Sequence, residues 1–328
     1  MGKELAITIG GIILLSISMV TSAQYQETPV CINPESQYAP AIYNDKIVWM
    51  DSRNGWYNYD IYMFDLSTGI ETQITTDTHN QSYPAIYGNK IVYVDDRNGN
   101  DDIYIYDLST GTETSICTDP ARQLSPAIFS DRIVWLDSRN AADSFDHPDV
   151  YMYDLSTDTE TPICIHLHPI YCPWLGGNGF INIFEDRIVW ADWRNGNEDI
   201  YMYNLSTDTE LQITTDTSYQ SFPDIYEDII VWRGGRNKPS DFIEHEYDDI
   251  YMYDLSTGVE TPVSIDPETS EKTPVIYGDK IVWNKGGGIY IYDLSTGGET
   301  PVYTGPGLCF PGIDIQHSIY AWLGYLYG

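Results

Sequence analysis

Positive charge is scarce in this 328-residue chain: 16 Lys and Arg stand against 49 Asp and Glu, a net charge of −33. Such a surface repels phosphate backbones and anionic lipid head groups, which excludes nucleic acid as a partner. It suits cations, cationic partners or a salty medium, and most simply a soluble extracellular surface. Helical patterning is missing as well, since no segment carries a useful apolar stripe of 3.6-residue period. The signatures of several chemistries are absent: no GxSxG elbow, no HExxH, no phosphate-cradling glycine loop with lysine and no dinucleotide fingerprint. Five cysteines, Cys31, Cys117, Cys164, Cys172 and Cys309, form no CxxC pair, which argues against structural zinc. Their odd number leaves at least one thiol unpaired within a monomer. Cys164 with Cys172, and Cys31 with Cys309, are candidate bridges whose connectivity the sequence leaves open.

Long apolar runs are confined to the start. "MGKELAITIGGIILLSISMVTSAQ" has a charged opening at Lys3, an apolar run from Leu5 to Val20, then Thr21 and Ala23 before Gln24. The run is shorter than the roughly 20 residues of a spanning helix. Residues 1–23 therefore read as a cleaved secretory signal, a retained anchor being the alternative. Residues 24–328 are expected to be one domain, working outside the cytoplasm with no membrane insertion of its own.

What the chain has in abundance is one phrase. "DIYMFDLST" at 60–68 returns as "DIYIYDLST" at 102–110, "DVYMYDLST" at 149–157, "DIYMYNLST" at 199–207, "DIYMYDLST" at 249–257 and "GIYIYDLST" at 288–296. A second landmark, the aromatic of "IVW", falls at Trp49, Tyr93, Trp135, Trp190, Trp232, Trp283 and, more loosely, Trp322, at spacings of 39 to 55 residues. A period of that size is the mark of repeat architectures. Each unit holds four short runs rich in Ile, Val, Tyr and Thr, separated by turn residues, and so predicts four strands. The turns are tight: "YGNK" or "YGDK" joins the first two strands, and "DLSTG" joins the last two. The third strand alternates Tyr with Ile, so both of its faces are apolar. One sheet cannot bury both faces; a ring of sheets packed face to face can.

The C-terminal "PGIDIQHSIYAWLGYLYG" resembles two strands and a stub, while "ETPVCI" at 27–32 matches the fourth-strand phrase "ETPICI" at 160–165. The expectation is thus an all-β, seven-bladed propeller of four-stranded antiparallel blades, closed by an N-terminal strand completing the last blade. The stretch "WMDSRNGWYNYDIYMFDLSTG", with its "DxRNGxxDIY" core, resembles the blades of TolB-like propellers, closest in style to the repeat-rich surface propellers of archaea. The resemblance covers about residues 27–328 and implies the fold. It implies little about function, because that group includes scaffolds, binding modules and domains attached to hydrolases. Blade five departs with "WRGGRNKPS", where Gly234 replaces Asp, and blade six shortens to "WNKGGGIY".

Residues that recur in every blade are poor candidates for a unique site. Arg53, Arg97, Arg139 and Arg194 each follow an Asp by two residues, which predicts a local ion pair. Arg236 lacks that Asp and is a candidate to grip a carboxylated ligand. First-to-second and third-to-fourth turns are short and uniform, whereas second-to-third and fourth-to-first connections vary. These classes emerge on opposite faces, so one face is plain and the other carries the insertions where binding is usually built. On that loop face fall Trp56, Trp174, Trp193, His147, His166, His168 and His245, the candidate ligand-binding residues together with Arg236. His166 and His168, with His147 and Asp149 nearby, make a divalent metal the alternative to no cofactor. The oxygens of "DDRNGNDD" at 95–102 do the same for calcium. Asn80 and Asn204 lie in sequons.

These observations point to a secreted or cell-surface propeller that binds a protein or surface glycan through its loop face, without catalysis. The alternative is a metal-assisted polysaccharide lyase at the channel mouth, with His as base or metal ligand and Arg neutralising a uronate.

Overall fold

The computed structural model describes residues 4–8, 15–18, 30–55, 57–140, 148–165, 180–236, 248–304, 311–314 and 319–322. No helix occurs among the described residues. The repeat folds as six four-stranded antiparallel blades, each with strand order first to fourth. Blade 1 comprises Gln37–Tyr43, Lys46–Asp51, Asp60–Asp65 and Ile70–Gln73. Blades 2 to 6 follow at residues 81–117, 123–164, 181–212, 220–264 and 271–303.

The repeated aromatic and the first Tyr of the repeated phrase are direct cross-strand partners, as at Trp49 with Tyr62 and Trp135 with Tyr151. Their rings stack with centroids 6.1–6.3 Å apart in all six blades. Successive residues of the second strand face opposite neighbours. Val48 and Met50 of blade 1 pack with Ile86, Ile91 and Tyr93 of blade 2, while Val92 and Val94 pack with Ile128, Ile133 and Trp135 of blade 3. The core is therefore a series of interblade layers, which is why both faces of each strand had to be apolar. First strands lie next to one another around the axis.

A repeated bulge was not read from the sequence. In five first strands the register shifts before a Pro, as between Tyr38 and Ala41 or Ser82 and Ala85. The residue preceding each Pro has positive φ: Ala39, Tyr83, Ser125, Phe222 and Thr273, at 48–56°. A proline has no ladder donor, so it is tolerated in a strand at a bulge.

The expectation of seven blades is corrected to six. The ends of the chain meet in a sheet of different build, in the order Leu15–Ser18, Glu4–Thr8, Ile319–Trp322, Pro311–Asp314. Glu4–Thr8 pairs parallel with Ile319–Trp322, so the sheet is mixed. The C-terminal stretch offers one hairpin but no "DIYxYDLST" phrase, and a blade cannot be completed without its third strand. Nor does "ETPVCI" supply the closing strand, for its described residues, 30–32, join no ladder. Its cysteine nevertheless takes up its repeat place. Cys31 Sγ lies 3.2 Å from Arg53 Nη2, as Cys117 Sγ lies 3.1 Å from Arg139 Nη2. Pro311–Asp314 sits beside the first strands of both blade 6 and blade 1.

Candidate functional site

The plain face is built from identical parts. In "DLST" the Asp65 Oδ1 accepts the backbone N–H of Ser67 at 2.9 Å and of Thr68 at 3.1 Å. Asp107, Asp154, Asn204, Asp254 and Asp293 likewise accept from the residue two further on. At the ends of the first strands an arc of aromatics runs from blade to blade, Tyr43, Tyr87, Phe129, Phe184, Tyr226 and Tyr277, with centroids 4.6–4.9 Å apart. Among these turn-opening residues the one change of side-chain chemistry is Asn204, which stands where the other five blades have Asp.

The repeated arginines are braces. Arg53 donates to Asp51 at 2.7 Å and to Glu71 of its own fourth strand at 2.5 Å, and lies 3.9 Å over the Tyr62 ring. Burial opposes its charge, but Asp51 and Glu71 outweigh that and raise its pKa above the ordinary value. Arg97, Arg139 and Arg194 repeat the pattern with Glu113, Glu160 and Glu210. The same carboxylates accept the indole N–H: Trp49 to Asp51, Trp135 to Asp137 and Trp190 to Asp192, at 2.9–3.0 Å. Arg236, expected to be available for a ligand, is held instead by Glu260 and, at 3.5 Å, by Asp216, over the ring of Tyr251. Cys31 is a free thiol, not half of a bridge to Cys309, and burial pushes Cys31 and Cys117 up to about 12. In "DDRNGNDD" the Asp95 and Asp102 carboxylates accept from Arg97, Asn98 and Asn100.

The repeat breaks in one sector. The second-strand column that reads Met50, Val94, Leu136 and Ala191 becomes Arg233 in blade 5 and Asn284 in blade 6. The position before the third strand, Tyr59 in blade 1, a partly exposed Asp101 in blade 2 and Pro148 in blade 3, is a buried carboxyl in blades 4 and 5, Glu198 and Asp248. Arg233 Nε donates to Ser221 Oγ at 2.9 Å, its guanidinium lies 4.2 Å over Phe222, and Nη1 is 3.6 Å from Asp248 Oδ2. Phe222 in turn packs on Phe180. Both carboxyls are buried. Burial pushes Glu198 up to about 8, with the Arg233 charge and the Trp193 indole opposing. Asp248 is pushed up to about 7 by burial against the charge of Lys272. Arg233 itself is lowered to about 10 by burial, Glu198 acting the other way. Two buried carboxyls with raised pKa values thus stand by a guanidinium whose nearest carboxylate contact among the described residues is 3.6 Å, a set able to accept a polar ligand.

Toward the axis, Asp224 stands where blades 1 to 3 have Ala41, Ala85 and Ala127. Its Oδ2 accepts from Ile276 N at 2.7 Å, and its Oδ1 from Ile225 N at 2.9 Å and from Asn182 Nδ2, tying three blades together. Burial pushes it up to about 7. In blade 6 the Gln–Asp partners of the regular blades, such as Gln37 opposite Asp51, become Glu271 opposite Lys285. These two pair at 3.0 Å. The regular indole acceptor is lost in both blades, so Trp232 Nε1 and Trp283 Nε1 are buried with no partner among the described residues.

Of the residues expected at the site, Trp193 falls in this sector, at Glu198. Trp56, Trp174, His147, His166, His168 and His245 lie outside the described residues. Among the described residues no group of three His, Cys, Asp or Glu is placed to hold a metal ion. Glu198, Arg233, Asp248 and Asp224 were missed. The signal that finds Arg233 and Asp224 is a charge in a repeat column that is otherwise uncharged, whereas Glu198 and Asp248 share their column with Asp101 and differ from it in being buried.

No protein family and no curated protein matches this sequence. Its structure is similar to solved propellers. TolB from Acinetobacter baumannii has a TM-score of 0.53 at 14% identity, over 98% of this chain and 81% of that one. The β-propeller domain of the trilobed protease from Pyrococcus furiosus has a TM-score of 0.61 at 16% identity, covering 85% and 86%. An oligogalacturonate lyase in complex with manganese has a TM-score of 0.59 at 13% identity, covering 94% and 86%. The chain spans only 28% of the tricorn protease, whose structure it also resembles over 85% of its own length. At these identities the likeness concerns fold alone, and in fold this chain is a TolB-like β-propeller.

Proposed function

We propose that this protein is an exported, cell-surface binding module that takes a protein or surface glycan on its loop face and performs no catalysis. The observation that carries this reading is the confinement of buried, repeat-breaking charge to blades 4 to 6. Arg233 contributes nothing that blades 1 to 4 lack for folding, since apolar residues serve in its column there, and Glu198 and Asp248 are buried where Asp101 of the same column is partly exposed. Buried charges are costly to keep, and a ligand that completes their hydrogen bonds is a reason to keep them. Trp193 adds a flat apolar surface suited to a sugar ring or a protein side chain. The acidic surface disfavours nucleic acid, and no resident cofactor is invoked.

The test is cosedimentation of the purified chain with cell envelopes from its own organism, some stripped of protein and others treated with periodate to destroy glycans. Saturable binding, weakened at least tenfold by Trp193→Ala or Arg233→Met, is expected, and the stripped samples identify the ligand class. The rival, a metal-assisted uronate lyase, predicts unsaturated products when the chain and manganese are mixed with oligogalacturonate. Their appearance would overturn the non-catalytic reading.

A further inference from the structure

The two sequons differ in one atom's availability. Asn80 opens the first strand of blade 2, and its side chain is committed: Nδ2 donates to Asp96 Oδ2 at 2.8 Å, and Oδ1 accepts from Tyr59 N at 3.3 Å. Its backbone N–H also donates to Asp96, at 2.8 Å. Modification at Asn80 Nδ2 would disturb its bond to Asp96, which holds this loop of blade 2 together.

Asn204 is the reverse case. It begins the third-to-fourth turn of blade 4, where its Oδ1 accepts Ser206 N at 2.9 Å, Ser206 Oγ at 2.6 Å and Thr207 N at 3.2 Å. Every hydrogen bond of the Asn204 side chain uses the oxygen, and Nδ2 has no partner among the described residues. The other five blades place Asp here. A carboxylate oxygen does the same work there, so the fold does not require an amide. All six turns carry Ser two residues on, and the single change to Asn is what creates a sequon. Residues 206–210 are exposed.

We propose that Asn204 is a glycan acceptor in the folded chain and that Asn80 is not. The donor class is a sugar linked through phosphate to a polyprenol. Asn204 Nδ2 bonds to the anomeric carbon as the carbon–oxygen bond to phosphate breaks. The phosphate leaves with the electron pair, and one amide proton passes to a base of the transferase. The Ser206 hydroxyl, already donating to Oδ1, polarises the amide during this step. Because Asn204 lies on the plain face, the glycan would leave the sector of Arg233 and Trp193 uncovered.

The experiment offers folded full-length chain to an oligosaccharyltransferase already shown to modify short peptides carrying either sequon, with its lipid-linked donor. Intact mass and glycopeptide sequencing give the result. One glycan at Asn204 is expected, abolished in Asn204→Asp and retained in Asn80→Asp. Asn204→Asp installs the residue of the other blades, so its thermal midpoint should match the wild type. An unmodified folded chain, or a glycan at Asn80 with Asn204 bare, would overturn the proposal.

Discussion

Blades 1 to 3 and blades 4 to 6 are built to one pattern, yet they treat polar groups differently. In blade 3 the buried Asp137 accepts from Trp135, from the backbone N–H of Arg139 and from its guanidinium. In blade 5 its counterpart is Gly234, and the Trp232 N–H has no acceptor among the described residues. An orphaned buried donor costs about 1–3 kcal/mol. The irregular sector bears that cost and adds buried charge at Glu198, Arg233 and Asp248. Repetition records what folding needs, and departure from it shows where some other demand has acted.

The largest effect should come from removing a repeat residue. Trp135 is fully buried, and Trp135→Ala should cost about 3–5 kcal/mol in denaturant unfolding. A loss under 1 kcal/mol would undo the reading of the interblade layers as the core. Asp137→Ala leaves Trp135 and Arg139 without their shared acceptor, though Arg139 keeps Glu160. A loss of about 2–3 kcal/mol is expected.

Gly234→Asp should act in the opposite direction. It supplies Trp232 with its missing acceptor and Arg236 with the usual partner, for a gain of about 1 kcal/mol. The Tyr251 ring, 3.3 Å from the new Cβ, must yield by a few tenths of an ångström. A loss of stability would show that blade 5 has been repacked around glycine and does not simply lack an acceptor.

The smallest effect concerns pH. Glu198 is raised from 4.5 to about 8, and Asp248 from 3.8 to about 7. With folded values above unfolded ones, the native state holds more protons in between, so stability should fall as pH rises from about 5 to 8. The Glu198→Gln, Asp248→Asn pair should flatten that slope in melts across the range. An unchanged slope would leave Asp224, raised to about 7, as the remaining source.

Much of the fold was legible because a repeat displays its constraints several times over. Four runs per unit, apolar faces on both sides of the third strand and two classes of connection all reappear as blades, interblade layers and unlike faces. The blade number was not legible. It rested on matching "ETPVCI" to the fourth-strand phrase, and a six-residue match fixes the place of Cys31 without making a ladder. Whether a strand pairs depends on which edge is open, and the first residues of the chain take that edge. The bulges before Pro40 or Pro84 were missed for a similar reason: proline marks a break, but its direction is set by the neighbouring strand. At the site, rarity of residue type pointed to Trp and His in the insertions and brought in Trp193. It passed over Glu198 and Arg233, which are ordinary residues in unusual columns. Arg236 misled because, without its Asp, it still keeps the fourth-strand carboxylate that braces the other arginines, Glu260, and adds Asp216 at 3.5 Å.

The central claim is that blades 4 to 6 hold a ligand site while blades 1 to 3 hold only the fold. The most direct test compares envelope binding by Arg233→Met with that by Leu136→Met, the same column in blade 3. Leu136→Met should melt within about 1 kcal/mol of the wild type. Arg233→Met takes the counter-charge from Asp248, so it is compared at a temperature where its own melt shows it fully folded. Loss of binding in the first and full binding in the second is the predicted result. Equal binding by both variants would contradict the account.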